Sequence, residues 1–375
     1  MKFKYHINYN HGTIIEREYA KEINVSIDFL QKKWSEASYG SQSSENEWVR
    51  FAGMITAATL LPWLCIPFIM SIQPSAPSLT TLFSLFVFIG GTAHVGASSF
   101  FLYTPEFRDH RTQRAKTYWI GPLALTFFLA TGFTWGPDSF QKNAILIYFI
   151  WQTWHYQRQN FGLLSMAGIS TQTGPVTKWE RVALDVGVLA GIGGLFFKMN
   201  IAQGTLLEPF AQGLYTAGSL LICVNPILVV YVFIKNPHFL EKPTRPFFFL
   251  LGAFFYLPTF LFKSPEASIL SYALAHGWQY LVFMTYVAQR KPQHQRQNMK
   301  LFLYCCFGGG IILSLLGDQS LWGSWGPGVF GAYLGLIIWH FITDADIWRL
   351  REPFQRQYMN AAFPFLNPKA NKAAP

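Results

Sequence analysis

Ten apolar stretches, each of about 20 residues and separated by short polar connections, constrain this chain more than any other feature. They cover roughly 50–72, 80–103, 118–135, 143–166, 181–199, 213–234, 246–262, 266–288, 300–316 and 326–348. A helix of that length spans the hydrocarbon of a bilayer. It also satisfies its own backbone hydrogen bonds, which lipid cannot do for it. The predicted fold class is an all-α integral membrane protein, a bundle of about ten transmembrane helices. A polar segment (1–48) precedes the polytopic domain (49–349), and a tail (350–375) follows it. Glu22 to Trp34 reads as a short surface helix, and Pro226 and Pro258 predict kinks in or near the sixth and seventh stretches.

Charge tests this division. Only 13% of the 375 residues are charged, against about 25% in soluble domains. That excludes an ordinary soluble enzyme, and the apolar content excludes a disordered chain. The net charge of +10 would suggest nucleic acid in a soluble protein. Here the distribution explains it. With the N-terminus in the cytoplasm, 25 of the 29 Lys and Arg fall on the cytoplasmic side. Lys142, Lys198 and Lys263 fall opposite, and Arg158 lies within a stretch. This is the positive-inside pattern. It predicts a multi-pass protein of a bacterial inner membrane with both termini cytoplasmic, the bilayer as a partner and no nucleic acid. The start, MKFKYHINYN, lacks the apolar core of a cleaved leader. The four cysteines have neither disulfide-framework nor zinc-site spacing. Gly308, Gly309 and Gly310 read as a site of close helix packing.

Four of the nine histidines lie within apolar stretches, one in each: His94, His155, His276 and His340. Ionisable groups in a membrane interior are costly and mark function. All four stretches are even-numbered and so run in the same direction, and their depths match within one or two turns. Four imidazoles at one depth on parallel helices predict a single metal site, and imidazole suits iron, copper or zinc. Gln159 (i+4 from His155), Gln279 (i+3 from His276) and Asp344 (i+4 from His340) share helix faces with the histidines. Each is placed to orient a ligand, and Asp344 also to be one. Gly277 beside His276 permits a close approach. Trp151, Trp154, Trp278, Tyr280, Trp339 and Phe341 read as pocket aromatics. Asp346, and Asp344 in its alternative role, read as ion-pair partners of Arg349 or Arg351. Arg158 reads as a snorkelling residue. Glu106, Asp109 and His110 read as a solvated loop, with an extra ligand as the alternative.

There is no phosphate-binding glycine loop, no nucleophile elbow and no H-E-x-x-H. The histidine boxes of membrane desaturases are absent too. One histidine per helix, with the segment Gly90-Gly91-Thr92-Ala93-His94-Val95-Gly96 and the surroundings of His155, resembles the Brp/Blh family of membrane β-carotene dioxygenases. That resemblance implies iron held by histidines alone and oxygen chemistry on an apolar substrate. The chain departs from the family in its number of spans and in the acidic residues near these motifs.

The expected function is a metal-dependent oxidoreductase or oxygenase, with non-haem iron at His94, His155, His276 and His340. Its substrate would be an apolar lipid or isoprenoid, and an electron donor is a possible partner. Three alternatives stay open. One is a haem protein. The second is a proton-coupled transporter using the histidines as a relay. The third is a lipid-modifying transferase with His340 and Asp344 as an acid–base pair.

Overall fold

The computed structural model describes residues 41–72, 77–198, 202–289 and 295–366. It is all-helical, with no strand among the described residues. The helix expected at Glu22 to Trp34 lies outside them. The chain divides into two units, Glu47–Asn367 and a second made of Met1–Asn46 with Pro368–Pro375. Of the second unit only residues 41–46 are described, as helix. The first unit holds all ten apolar stretches and the four histidines within them.

Each of the ten apolar stretches overlies helix. The long helices are α1 (Ser41–Ile72), α6 (Gly121–Trp135), α7 (Asp138–Ser170), α8 (Lys178–Lys198), α9 (Ala211–Lys235), α12 (Pro265–Gln289), α13 (Gln295–Gly317) and α14 (Gly326–Ile347). The second stretch is composite: α2 (Pro77–Phe88), a π-turn (Ile89–Ala93), α3 (His94–Ala97) and α4 (Phe100–Tyr103). A short α5 (Arg108–Gln113) and a second π-turn (Lys116–Ile120) lead into α6. By length and composition, five segments of the described residues are apolar enough to cross a membrane: Asn46–Ser71, Phe83–Tyr103, Glu208–Lys235, Asn298–Gly317 and Gln319–Ile347.

The seventh stretch is not one helix. It breaks between α10 (Thr244–Ala253) and α11 (Pro258–Leu261). Pro258 starts the second piece, where its missing N–H costs nothing. Pro226, by contrast, lies inside the unbroken assignment of α9.

Residues 353–366, within the segment read as a tail, fold back. Helix α15 (Pro353–Ala362) and the turn Pro364–Leu366 bury Phe363, Phe365 and Leu366. Phe51 anchors this end, with ring centroids 5.3 Å from Phe283, Tyr286 and Phe365. Such aromatic pairs contribute about 0.5–1.5 kcal/mol each beyond their area. At the other end, α6 and α14 pack backbone to backbone. A Cβ on Gly331 would stand 2.5 Å from the Leu129 carbonyl oxygen, and one on Gly335 2.5 Å from the Thr126 Cα.

Candidate metal centre

Four helical segments converge on the histidines. His94 opens α3 directly after the π-turn. An extra residue in a helical turn rotates the residues after it, and such π-turns concentrate at functional sites. His155, His276 and His340 project from α7, α12 and α14. All four are buried.

The approach that brings them together needs glycine. A Cβ on Gly277 would overlap the Gly90 carbonyl oxygen and stand 2.8 Å from His94 Nδ1. On the far side, a Cβ on Gly96 would lie 2.6 Å from the Cys305 carbonyl oxygen, and one on Gly310 2.8 Å from the Ala93 Cα. The π-turn and α3 are thus wedged between α12 and α13. Gly309 and Gly310 make close packing contacts, whereas Gly308 has open space around it.

The rings form a closed quadrilateral. Centroids are 5.2 Å apart for His94–His276, 5.0 Å for His276–His155, 5.3 Å for His155–His340 and 5.2 Å for His340–His94. The diagonal His276–His340 is 6.5 Å. Two imidazoles on one ion have centroids about 4.5–6.5 Å apart, given metal–nitrogen bonds of about 2.0–2.1 Å. The spacing fits a shared ion. Single ligand atoms from His94, His276 and His340 lie within 4.8 Å of one another, as do those of His155, His340 and Asp344.

The ring nitrogens are also without partners. Both nitrogens of His94, His276 and His340, and Nε2 of His155, are buried and make no hydrogen bond. His94 leans toward the Gly90 and Gly91 carbonyls without closing a bond of normal geometry. A buried polar group left unsatisfied costs about 1–3 kcal/mol. Each neutral ring carries one lone pair and one N–H, so an ion shared by the four could take four of these seven nitrogens, and the N–H of His94, His276 and His340 would still lack an acceptor. The donor set, four imidazoles and one carboxylate, fits a divalent transition metal.

Asp344 is buried on this cluster. Its Oδ2 is 3.8 Å from His155 Nε2 and 3.7 Å from His340 Nε2, and its Oδ1 accepts from the Tyr280 hydroxyl at 2.9 Å. Its partners are therefore these groups and not Arg349 or Arg351. Gln159 and Gln279 take a different place from the one expected. Gln159 Nε2 donates to the His276 carbonyl (3.1 Å) and to Gln279 Oε1 (2.7 Å). Gln279 Nε2 donates to Thr59 Oγ1 at 2.7 Å, which donates to the Ile55 carbonyl at 2.8 Å. This chain ties α7, α12 and α1 together. It fixes the backbone carrying His276, and no hydrogen bond from either amide to an imidazole is seen.

Of the six aromatics expected around the site, Tyr280 and Phe341 flank the rings. Phe341 stacks on His155 at 4.5 Å, and Tyr280 stands edge-on to His340 at 5.2 Å. Trp151 and Trp154 are exposed, and Trp154 carries the Arg158 guanidinium 4.4 Å above its ring. Trp278 packs on Phe86 and Trp339 on Trp119. Tyr156, missed in the sequence, stacks on His276 at 4.1 Å. Its one available signal was adjacency to His155.

Asp346 belongs elsewhere. It accepts from His110 Nε2 (2.8 Å), the Tyr118 hydroxyl (2.9 Å) and Arg114. Arg349 instead donates to the Ala345 carbonyl and Arg351 meets Glu352. His110 is thus committed to Asp346 and stacks on Phe354 at 4.5 Å. Glu106 and Asp109 are exposed. None of these four joins the histidine centre.

No family model, curated protein or solved structure matches this chain.

Proposed function

We propose that this chain is a multi-pass membrane protein of ten spans with both ends cytoplasmic, and that its four histidines hold one non-haem iron ion. We assign it an oxygenase or oxidoreductase reaction on an apolar lipid or isoprenoid taken from the bilayer. The observation that carries the reading is the closed quadrilateral of four buried imidazoles from four separate segments, each ring with at least one nitrogen lacking a partner. Large apolar side chains facing outward on several helices support the membrane placement: Leu64 is 71% exposed, Phe127 71% and Ile227 67%. The distribution of Lys and Arg supports the orientation.

The donor set is compatible with iron, since non-haem iron oxygenases use mixed imidazole and carboxylate ligands, and the choice of iron rests on the resemblance to the Brp/Blh family. A haem fits poorly, because His94 and His155 stand within 5.3 Å of the other two rings and leave no room for a macrocycle. When bound, the iron would supply dioxygen activation. The chain's residues would do the rest. His94, His155, His276 and His340 hold the metal, with Asp344 beside them as a further oxygen donor. Tyr280 fixes that carboxylate. Tyr156 and Phe341 clamp two of the imidazoles and keep water from the reacting face. The resemblance to the Brp/Blh dioxygenases points to the same class of chemistry.

The test is elemental analysis and an optical spectrum of detergent-purified protein loaded anaerobically with ferrous iron. We expect about one iron per chain, no Soret band, and at least tenfold weaker binding when any one histidine is replaced by Ala. Full occupancy after all four replacements would overturn the shared site, and a Soret band would overturn the non-haem assignment.

A further inference from the structure

A cavity of about 440 Å³ abuts the histidine cluster. It is walled by α2, the π-turn, α3, α7, α12, α13 and α14, and the exposed Ser84 is among its lining residues. His94 lines it. So do Tyr156 and Phe341, the side chains that stack on His276 and His155. Three properties define what it can take.

The first is size. At the packing density of protein interiors, 440 Å³ takes about 15–20 non-hydrogen atoms. The second is charge. No Asp, Glu, Lys or Arg is among the described residues lining the cavity. An ionised head group would lose its hydration there without a counter-charge, which is costly. The third is a polar corner. On α7, Tyr148, Gln152 and Tyr156 stand at i, i+4 and i+8 and form one stripe, with Tyr333 of α14 also on the wall. Gln152 Nε2 donates to the Tyr148 hydroxyl at 3.2 Å. The amide also meets the Tyr156 side chain, which leaves about two of its four hydrogen-bonding valences, those of its carbonyl oxygen, for a ligand. Thr92 and Ser314, by contrast, bond each other at 2.8 Å.

We infer that this cavity binds a neutral, largely apolar molecule of about 15–20 non-hydrogen atoms with one terminal hydroxyl or carbonyl. Prenyl and fatty alcohols are the chemical class. Gln152 and the neighbouring phenols hold the polar end. The inference deepens the proposed function and rests on it for turnover, but binding itself needs no metal.

The experiment uses metal-free protein in nanodiscs, with tritiated farnesol as the probe. We expect saturable binding of one farnesol per chain, competed by hexadecanol and at least tenfold less well by palmitate at neutral pH. Ala273→Trp, which fills the cavity, should abolish it. Gln152→Leu keeps the side chain's size. It should weaken farnesol at least fivefold and leave competition by the hydrocarbon farnesene unchanged. Unsaturable binding, or wild-type binding by a well-folded A273W protein, would overturn the cavity assignment. Equal competition by palmitate, or no effect of Q152L, would overturn the neutral polar end. Because the assay omits metal, iron loading can fail while farnesol still binds, so the two readings fail separately.

Discussion

The Tyr280 hydroxyl donates to Asp344 Oδ1 at 2.9 Å, and the carboxylate's other oxygen then faces His155 and His340. Tyr280→Phe removes that hydrogen bond and little volume. The carboxylate would lose its fixed orientation toward the proposed iron. Groups that orient a ligand typically contribute 10–100-fold in metal affinity. Competition against a chelator of known affinity should therefore show iron held about 10–100-fold more weakly. Unchanged affinity would mean that Asp344 is not oriented toward the metal by this bond.

How much of this was legible in the sequence depends on what spacing encodes. The four histidines stood out because each is an ionisable residue in an apolar run, and their rings do converge. Spacing of i+3 or i+4 predicted that Gln159 and Gln279 would orient the imidazoles, and they instead bond backbone, each other and Thr59. It could not say that the two amides would find each other across 120 residues. Asp346 was misassigned for the same reason. Arg349 and Arg351 are near in sequence, yet its partners come from His110, Arg114 and Tyr118, more than 200 residues away. The fold-back of residues 353–366 was hidden because short, mixed-polarity segments read as tails. The π-turn left only the pair Gly90-Gly91 as a trace.

Close approach at Gly277 makes a second test. A methyl group there would overlap the Gly90 carbonyl and crowd His94 Nδ1. The atom it meets is backbone, so no side chain can swing away. Overpacking of this kind costs about 1–3 kcal/mol or more. Gly277→Ala should lower the thermal midpoint in detergent and reduce bound iron together. Gly308→Ala, on the exposed side of α13 with nothing within 4 Å, serves as the control and should do neither. Equal behaviour of the two variants would sink the wedge argument.

Far from the histidines, Arg245 and Glu180 form a wholly buried ion pair at 2.9 Å. Arg245 also donates to Thr173 Oγ1 and to the Gly174 and Pro175 carbonyls, and its guanidinium sits 3.8 Å over Phe239. It pins the α7–α8 connection to α10. Glu180→Gln leaves the buried guanidinium without its counter-charge, a loss of about 3–5 kcal/mol. Detergent melting should register this as a large fall, with iron content per folded chain unchanged. A variant as stable as wild type would show the pair to be dispensable.

The last prediction separates two carboxylates on one helix end. Asp344 faces the histidines, whereas Asp346, two residues on, faces His110, Arg114 and Tyr118. Gln355 of α15 adds a hydrogen bond to the Asp346 carbonyl at 3.2 Å. Asp346 therefore joins α14 to the segment from α5 to the second π-turn, next to the folded-back α15. Asp346→Asn removes the charge that Arg114 answers, at a cost of about 1–3 kcal/mol, since Arg114 is partly exposed. The connection carrying Arg108, Arg111 and Arg114 should become faster to cleave with trypsin, while iron binding stays at the wild-type level. Asp344→Asn should do the reverse, weakening iron and leaving the trypsin pattern alone. If both variants lose iron equally, the two carboxylates belong to one network, and the division between a metal face and a structural face on α14 is wrong.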